Sequence, residues 1–284
     1  MEIRTVDIAE LYGIEGSAPL KCFLHENTVE MSAYNKKLPA MIVAPGGGYH
    51  FVSERECDPV AVEFFNRHYN AFVLKYSVAP YRYPTALTQL AAAVDYVKRN
   101  AGRLGVDKSR VFVVGFSAGG HLAGCLANFC DSLPVPELKG RKLDARPTGV
   151  VLSYPVINND SHLGSFKNLL GIDDVNCPEA DALSLEKTVT PANPPCFLWT
   201  TAQDNCVNPM ATVLYTSALL NNGVTCESHI FPYGWHGASV CDERCNRRDG
   251  TEIFKKSKIW LELADEFLKS LPPLKKNLIL YKKD

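Results

Sequence analysis

Residues 115–124 read GFSAGGHLAG and follow directly on the apolar run Val111-Phe112-Val113-Val114. A serine set among small residues at the end of such a run is either a nucleophile raised on a tight strand-to-helix turn or a plain bend. In the G-x-S-x-G spacing of Gly115, Ser117 and Gly119, the turn is so sharp that the flanking positions need minimal side chains, which pushes the serine Oγ outward. Gly119, Gly120, Ala123 and Gly124 would let the following helix pack closely on the preceding strand. The choice depends on what the rest of the chain brings to this turn.

Outward from it, short apolar runs recur at 38–45 (LPAMIVAP), 70–77 (NAFVLKYS), 110–117 (RVFVVGFS), 149–157 (GVVLSYPVI), 196–204 (CFLWTTAQD) and 226–234 (CESHIFPYG). Rich in β-branched and aromatic residues and mostly continuous rather than alternating, they read as strands of a parallel sheet covered on both faces. Helical spacing lies between them, at Pro59–Arg67, Ala86–Arg99, Gly119–Cys130, Met210–Asn221 and Ile253–Leu268. Leu90, Ala93, Val94 and Val97, for example, form one apolar stripe. Alternating strands and helices predict an α/β fold with a mostly parallel sheet, in which reactive groups gather beyond the carboxyl ends of strands. Segment 158–195 breaks the rhythm and is expected as an insertion over that edge of a single domain spanning 1–284.

With 284 residues, 46% hydrophobic and 21% charged, the chain can bury a large core. Thirty Lys+Arg against 31 Asp+Glu give a net charge of −1 without long runs of one sign, which argues against a nucleic-acid or anionic-membrane partner. The basic tail with Lys275, Lys276, Lys282 and Lys283 reads as a solvated end. No stretch reaches the length of a membrane span, and the start MEIRTVDIAELYGIEG lacks a signal-type apolar core, so a cytoplasmic location is expected. The ten cysteines are scattered through expected strands and helices and read mostly as reduced, buried thiols. Cys241 and Cys245 lack a second ligand pair at zinc spacing, so no metal centre is expected. Composition leaves a homo-oligomer open.

A serine hydroxyl needs a base to take its proton and a group to orient that base. In folds with this turn, the acid and then the histidine follow the serine along the chain. Asp204 comes just after the run CFLWTTAQD, and His236 just after the last strand, between Gly234 and Gly237. His121 sits one helical turn beyond Ser117 and is expected to pack behind it, while His229 belongs to a strand. His25, His68 and His162 precede the late loops. Among carboxylates, Asp173, Asp174 and Asp181 lie in the insertion and Asp242 follows the histidine, so chain order favours Asp204.

Pro45-Gly46-Gly47-Gly48-Tyr49 follows an early strand, where glycines let backbone N–H groups approach a substrate. With the N–H of Ala118, this is similar to the HGGG oxyanion arrangement, Pro45 standing where that motif has histidine. Tyr49, His50 and Phe51, next to this loop, and Trp235, next to His236, are expected to wall the cleft and meet a hydroxylated substrate. Tyr154, Phe166 and Leu169 are candidates for either pocket or core.

Together, the stretch from PGGGYHFVSERECDP to AAAVDYVKRNA, then GFSAGGHLAG, TAQDNCVNP and GWHG, resemble the acetyl esterase and acetylxylan esterase-like branch of the bacterial α/β hydrolases over roughly residues 40–240. The resemblance implies a serine esterase for short acyl groups, typically acetyl on sugars, without metal or cofactor. It implies Ser117 as nucleophile, Asp204 as acid, His236 as base, and Gly47, Gly48 and Ala118 as oxyanion donors. The expected partner is a small ester, an acetylated saccharide; the lack of an export signal favours oligosaccharides over polymeric xylan. Alternatives are an amidase or peptidase-type hydrolase such as an aryl formamidase, and a non-catalytic binding protein on the same fold.

Overall fold

Alternate residues of the central apolar runs enter two different cores. In the strand Leu38–Ala44, Ala40, Ile42 and Ala44 face one core, while Met41 and Val43 face the other. In Val106–Phe116, Val111 and Val113 alternate in the same way with Phe112, Val114 and Phe116. A strand covered on both faces has no use for polar positions, which is why these runs lack them.

The computed structural model describes residues 1–30, 36–245 and 254–274. The basic tail and the expected helix start at Ile253 lie outside them. In chain order the elements are β1 (Glu2–Asp7), α1 (Ile8–Tyr12), β2 (Pro19–Leu24), β3 (Leu38–Ala44), α2 (Asp58–Asn66), β4 (Asn70–Leu74), α3 (Thr85–Arg99), β5 (Val106–Phe116) and α4 (Ala118–Phe129). They continue with a small hairpin of β6 (Glu137–Leu138) and β7 (Arg141–Lys142), then β8 (Gly149–Ser153), α5 (Leu163–Leu170), α6 (Pro178–Asp181), β9 (Cys196–Thr201), α7 (Met210–Asn221), β10 (Cys226–Phe231) and α8 (Trp260–Ser270).

One eight-stranded sheet has the order β1-β2-β4-β3-β5-β8-β9-β10. From β4 to β10 all neighbours are parallel, and β1 and β2 add an antiparallel edge. Apolar residues of α3, α4 and α7 pack on one face, and those of α2 and α8 on the other. The register Ala44↔Gly115 and Phe116↔Ser153 sets the carboxyl ends of β3, β5 and β8 side by side. Segment 158–195 lies between β8 and β9 in the chain, with α5 and α6 inside it; its α5 reaches the loop after β3 through Asn168 and Gly48, while Leu183 and Leu185 pack into the core that holds α3, α4 and α7. Among the described residues, no helix is long and apolar enough to cross a membrane.

Candidate active site

The turn after β5 is as tight as its small residues suggest. Ser117 has φ 53° and ψ −119°, a conformation that costs a non-glycine residue on the order of 1–3 kcal/mol. Hydrogen bonds on both sides hold it: its N–H donates to Ser153 O at 3.0 Å, and its carbonyl accepts from His121 N at 3.0 Å and Val156 N at 3.1 Å. A β-carbon on Gly115 would come within 2.1 Å of Gly119 O, and one on Gly119 within 2.1 Å of Ala44 O. Both contacts are with backbone, so the glycines are a steric requirement of the elbow.

Ser117 Oγ lies 2.8 Å from His236 Nε2, and His236 Nδ1 lies 2.7 Å from Asp204 Oδ2. Asp204 comes from the loop after β9 and is only 8% exposed. Its Oδ1 accepts the N–H groups of Cys206 and Val207, both at 2.9 Å, so the carboxylate cannot swing away from the imidazole. Since a carboxylate only accepts, Nδ1 carries the ring proton and Nε2 offers its lone pair to the serine. Tyr154 packs edge-on against the His236 ring with centroids 5.0 Å apart.

The rival groups are engaged elsewhere. His121 Nε2 donates to Leu183 O at 2.9 Å, and its Nδ1 accepts from the Tyr49 hydroxyl at 2.9 Å. Burial pulls the His121 pKa down to about 4, so its ring is neutral at pH 7. Asp242 is bound by Arg244 and Lys258, and hydrogen bonding with Arg244 first of all holds its carboxyl well below the usual range. Asp173 and Asp174 are exposed, and Asp181 pairs with Lys187. His229 is half-buried on β10, 2.7 Å from Glu227.

The glycine loop after β3 runs beside the elbow. Gly47 has φ 123° and Gly48 φ 64°, and a side chain at Gly47 would strike Phe51 O at 2.0 Å. Asn168 of α5 pins the loop by donating to Gly48 O at 2.9 Å. The N–H groups of Gly47, Gly48 and Ala118 meet no protein acceptor among the described residues. Unspent donors grouped at an elbow and a glycine turn can receive an oxyanion.

A cleft of about 340 Å³ opens above these groups, lined by Ser117, His236, Gly47, Gly48, His50 and Phe51, among others. Larger hollows of about 640 and 510 Å³ lie elsewhere and hold none of the Ser117, Asp204 and His236 cluster. The cleft's walls correct two expectations. Tyr49 does not face it: with φ 56° the chain turns this ring into the core, 2% exposed, where its hydroxyl meets His121. Trp235 packs instead against the core under α2 and α8. Tyr154, Phe166 and Leu169 are core residues. His50 and Phe51 line the cleft.

Sequence reasoning passed over His162, Arg55, Glu56, Asn168 and Cys206, all of which line the cleft. His162 caps α5, its Nδ1 accepting Ser165 N–H at 3.1 Å, which leaves the proton on Nε2. Burial, and next the nearby His236, lower its pKa, so at pH 7 this ring is a neutral donor in the wall.

A family model described as BD-FAE matches residues 29–140. The chain is 35% identical over 232 residues to endo-1,4-beta-xylanase B of Butyrivibrio fibrisolvens, covering 79% of this chain and 35% of that protein. It is 28% identical over 280 residues to an acetylxylan esterase of Xylanibacter ruminicola, covering 93% of this chain and 51% of that protein. The chain thus spans between about a third and about half the length of these relatives. Among solved structures, an acetyl ester-xyloside bifunctional hydrolase from Caldicellulosiruptor lactoaceticus superposes with TM-score 0.78 at 29% identity, over 94% of this chain and 96% of that one. MGS-M1, an α/β hydrolase enzyme from a Medee basin deep-sea metagenome, matches with TM-score 0.73 at 30% identity, over 95% of this chain and 97% of that one. With this sheet order, elbow and set of relatives, the chain belongs to the α/β-hydrolase superfamily.

Proposed function

We propose that this protein is a serine carboxylic-ester hydrolase that removes acetyl groups from acetylated sugars such as xylo-oligosaccharides. The observation that carries the reading is His236 bridging Ser117 Oγ at 2.8 Å and Asp204 Oδ2 at 2.7 Å beside unspent backbone donors. In this reading His236 Nε2 takes the Ser117 proton as Oγ attacks the ester carbonyl. The N–H groups of Gly47, Gly48 and Ala118 receive the oxygen that becomes negative. Asp204 stabilises the imidazolium, which then protonates the departing ester oxygen so that the sugar leaves as its free hydroxyl. A water, deprotonated by the same nitrogen, releases acetate and restores the serine.

The cleft supports a small acyl group. At about 340 Å³ it is near the lower end of ligand pockets, roughly 300–1,000 Å³, and Phe51 and His50 stand beside the glycine loop. His162 Nε2–H, Asn168 and Arg55 give its walls polar groups suited to a hydroxylated alcohol. The acetylxylan esterase relative and the acetyl ester-xyloside hydrolase neighbour support acetylated sugars as the class.

A panel of acetyl, butyryl and octanoyl aryl esters, acetylated xylo-oligosaccharides and formanilides tests this. Acetyl esters should show kcat/KM at least about tenfold above octanoyl esters, and acetylated oligosaccharides should release acetate and compete with aryl acetates. A preference for formanilides would select the formamidase alternative, and a preference for octanoyl esters would remove the acetyl assignment.

A further inference from the structure

Glu56 is 2% exposed and wedged beneath the active site in the turn before α2. A buried carboxylate is costly unless its oxygens are satisfied, and here each is bound to a different arm of the site. Oε2 accepts the N–H of Gly46, the residue leading into Gly47 and Gly48, at 2.8 Å. Oε1 accepts the Tyr154 hydroxyl at 2.7 Å. That hydroxyl in turn accepts the N–H of Ser239 at 2.9 Å, three residues beyond His236, while the Tyr154 ring abuts the His236 ring. A β-carbon placed on Gly46 would be 2.8 Å from Glu56 Oε2 and 2.9 Å from Ser117 Cβ, so the carboxylate sits within one side chain of the nucleophile.

We infer that Glu56 is a positioning residue that fixes the glycine loop and the His236 loop relative to each other through Gly46 on one side and Tyr154 on the other. The inference rests on the serine-esterase reading. A single carboxylate can serve both arms because it only accepts. An amide of the same shape cannot: its NH₂ end must face either the Gly46 N–H or the Tyr154 hydroxyl, and one donor loses its acceptor. Displaced backbone donors weaken contacts made only as the oxyanion forms, so the loss falls on kcat rather than KM.

The test compares wild type with Glu56→Gln on an aryl acetate, measuring kcat, KM and inhibition by an aryl trifluoromethyl ketone, a probe that forms an oxyanion on the serine. Glu56→Gln should lower kcat about 10- to 100-fold, change KM less than about threefold, and weaken the ketone by a factor similar to the kcat loss. A role confined to stability would lower Tm while leaving kcat and ketone affinity of the folded enzyme intact, and that result overturns the inference. Tyr154→Phe, which frees Ser239 and His236 but leaves Gly46 bound, covers the case in which Glu56→Gln does not fold. It should slow phosphonate labelling of Ser117 more than it weakens ketone affinity, and unchanged labelling also overturns the inference. Wild-type enzyme that neither labels nor turns over would instead remove the esterase reading.

Discussion

Placing a methyl group on Gly119 tests how the elbow and the glycine loop are held together. In Gly119→Ala the new Cβ would lie 2.1 Å from Ala44 O and 2.3 Å from Pro45 O. Ordinary C···O contacts are about 3.3–3.6 Å, so the end of β3 and the start of α4 must part by about 1 Å. Neither side is a flexible side chain that can swing away. Pro45 leads into the loop with Gly47 and Gly48, whereas α4 begins at Ala118, next to Ser117. The separation therefore moves two proposed oxyanion donors away from the nucleophile. Misplacement by about 1 Å costs on the order of 100-fold in rate, and overpacking typically costs about 1–3 kcal/mol. Kinetics on an aryl acetate should show kcat down about 100-fold with a modest change in KM, and thermal denaturation should show Tm lower by several degrees. Gly102→Ala is the control, because nothing lies within 4 Å of its added carbon. It should leave kcat unchanged and stability within about 1 kcal/mol. Wild-type kcat in Gly119→Ala would refute the steric reasoning.

Asp204→Asn should preserve KM while lowering kcat by about 10⁴-fold, whereas Asp173→Asn should stay near wild type in the same assay. Asp242→Asn should retain activity but lower Tm at pH 7. Because the folded Asp242 carboxyl is held below its unfolded value of 3.8, the stability it adds is present above that pH and is lost as the pH falls below it. The Tm gap between Asp242→Asn and wild type should accordingly narrow on acidification, and a gap constant from pH 7 to pH 3 would contradict the ion-pair account. His162→Ala should raise KM for an acetylated oligosaccharide about tenfold while leaving kcat on a small aryl acetate near wild type; equal effects on both substrates would remove His162 from sugar recognition.

Much of this arrangement was legible because the chemistry constrains the residues along the chain. The doubly covered strands β3, β5 and β8 announced themselves as continuous apolar runs, and Ser117 as a serine with glycine two residues away on either side. Asp204 and His236 followed from chain order, since loops after later parallel strands reach the same edge. The outer strands β1 and β2 were missed because EIRTVD mixes charged with apolar residues and has no buried position, while PLKCFL is a short run interrupted by Lys21. Tyr49 was misplaced because a positive φ decides which way its ring turns, and sequence does not report φ for a tyrosine. Glu56 was invisible for the opposite reason: SERECD reads as a solvated helix start, yet tertiary contacts from Gly46 and Tyr154 bury its carboxylate. His162 had a faint local signal, a polar residue at a helix start, which points to capping and not to a place in the cleft.

If Ser117 is a nucleophile activated by His236, it should react covalently with a phosphonate ester. Wild-type enzyme, Ser117→Ala and His236→Ala would each be incubated with an alkyl p-nitrophenyl phosphonate, followed by intact-mass measurement and peptide mapping. One adduct per wild-type chain is expected, located at Ser117 and formed in step with loss of esterase activity. Ser117→Ala should take up none, and His236→Ala should label far more slowly, because the hydroxyl keeps its proton. An adduct at another residue, or Ser117→Ala retaining wild-type activity, would contradict the account.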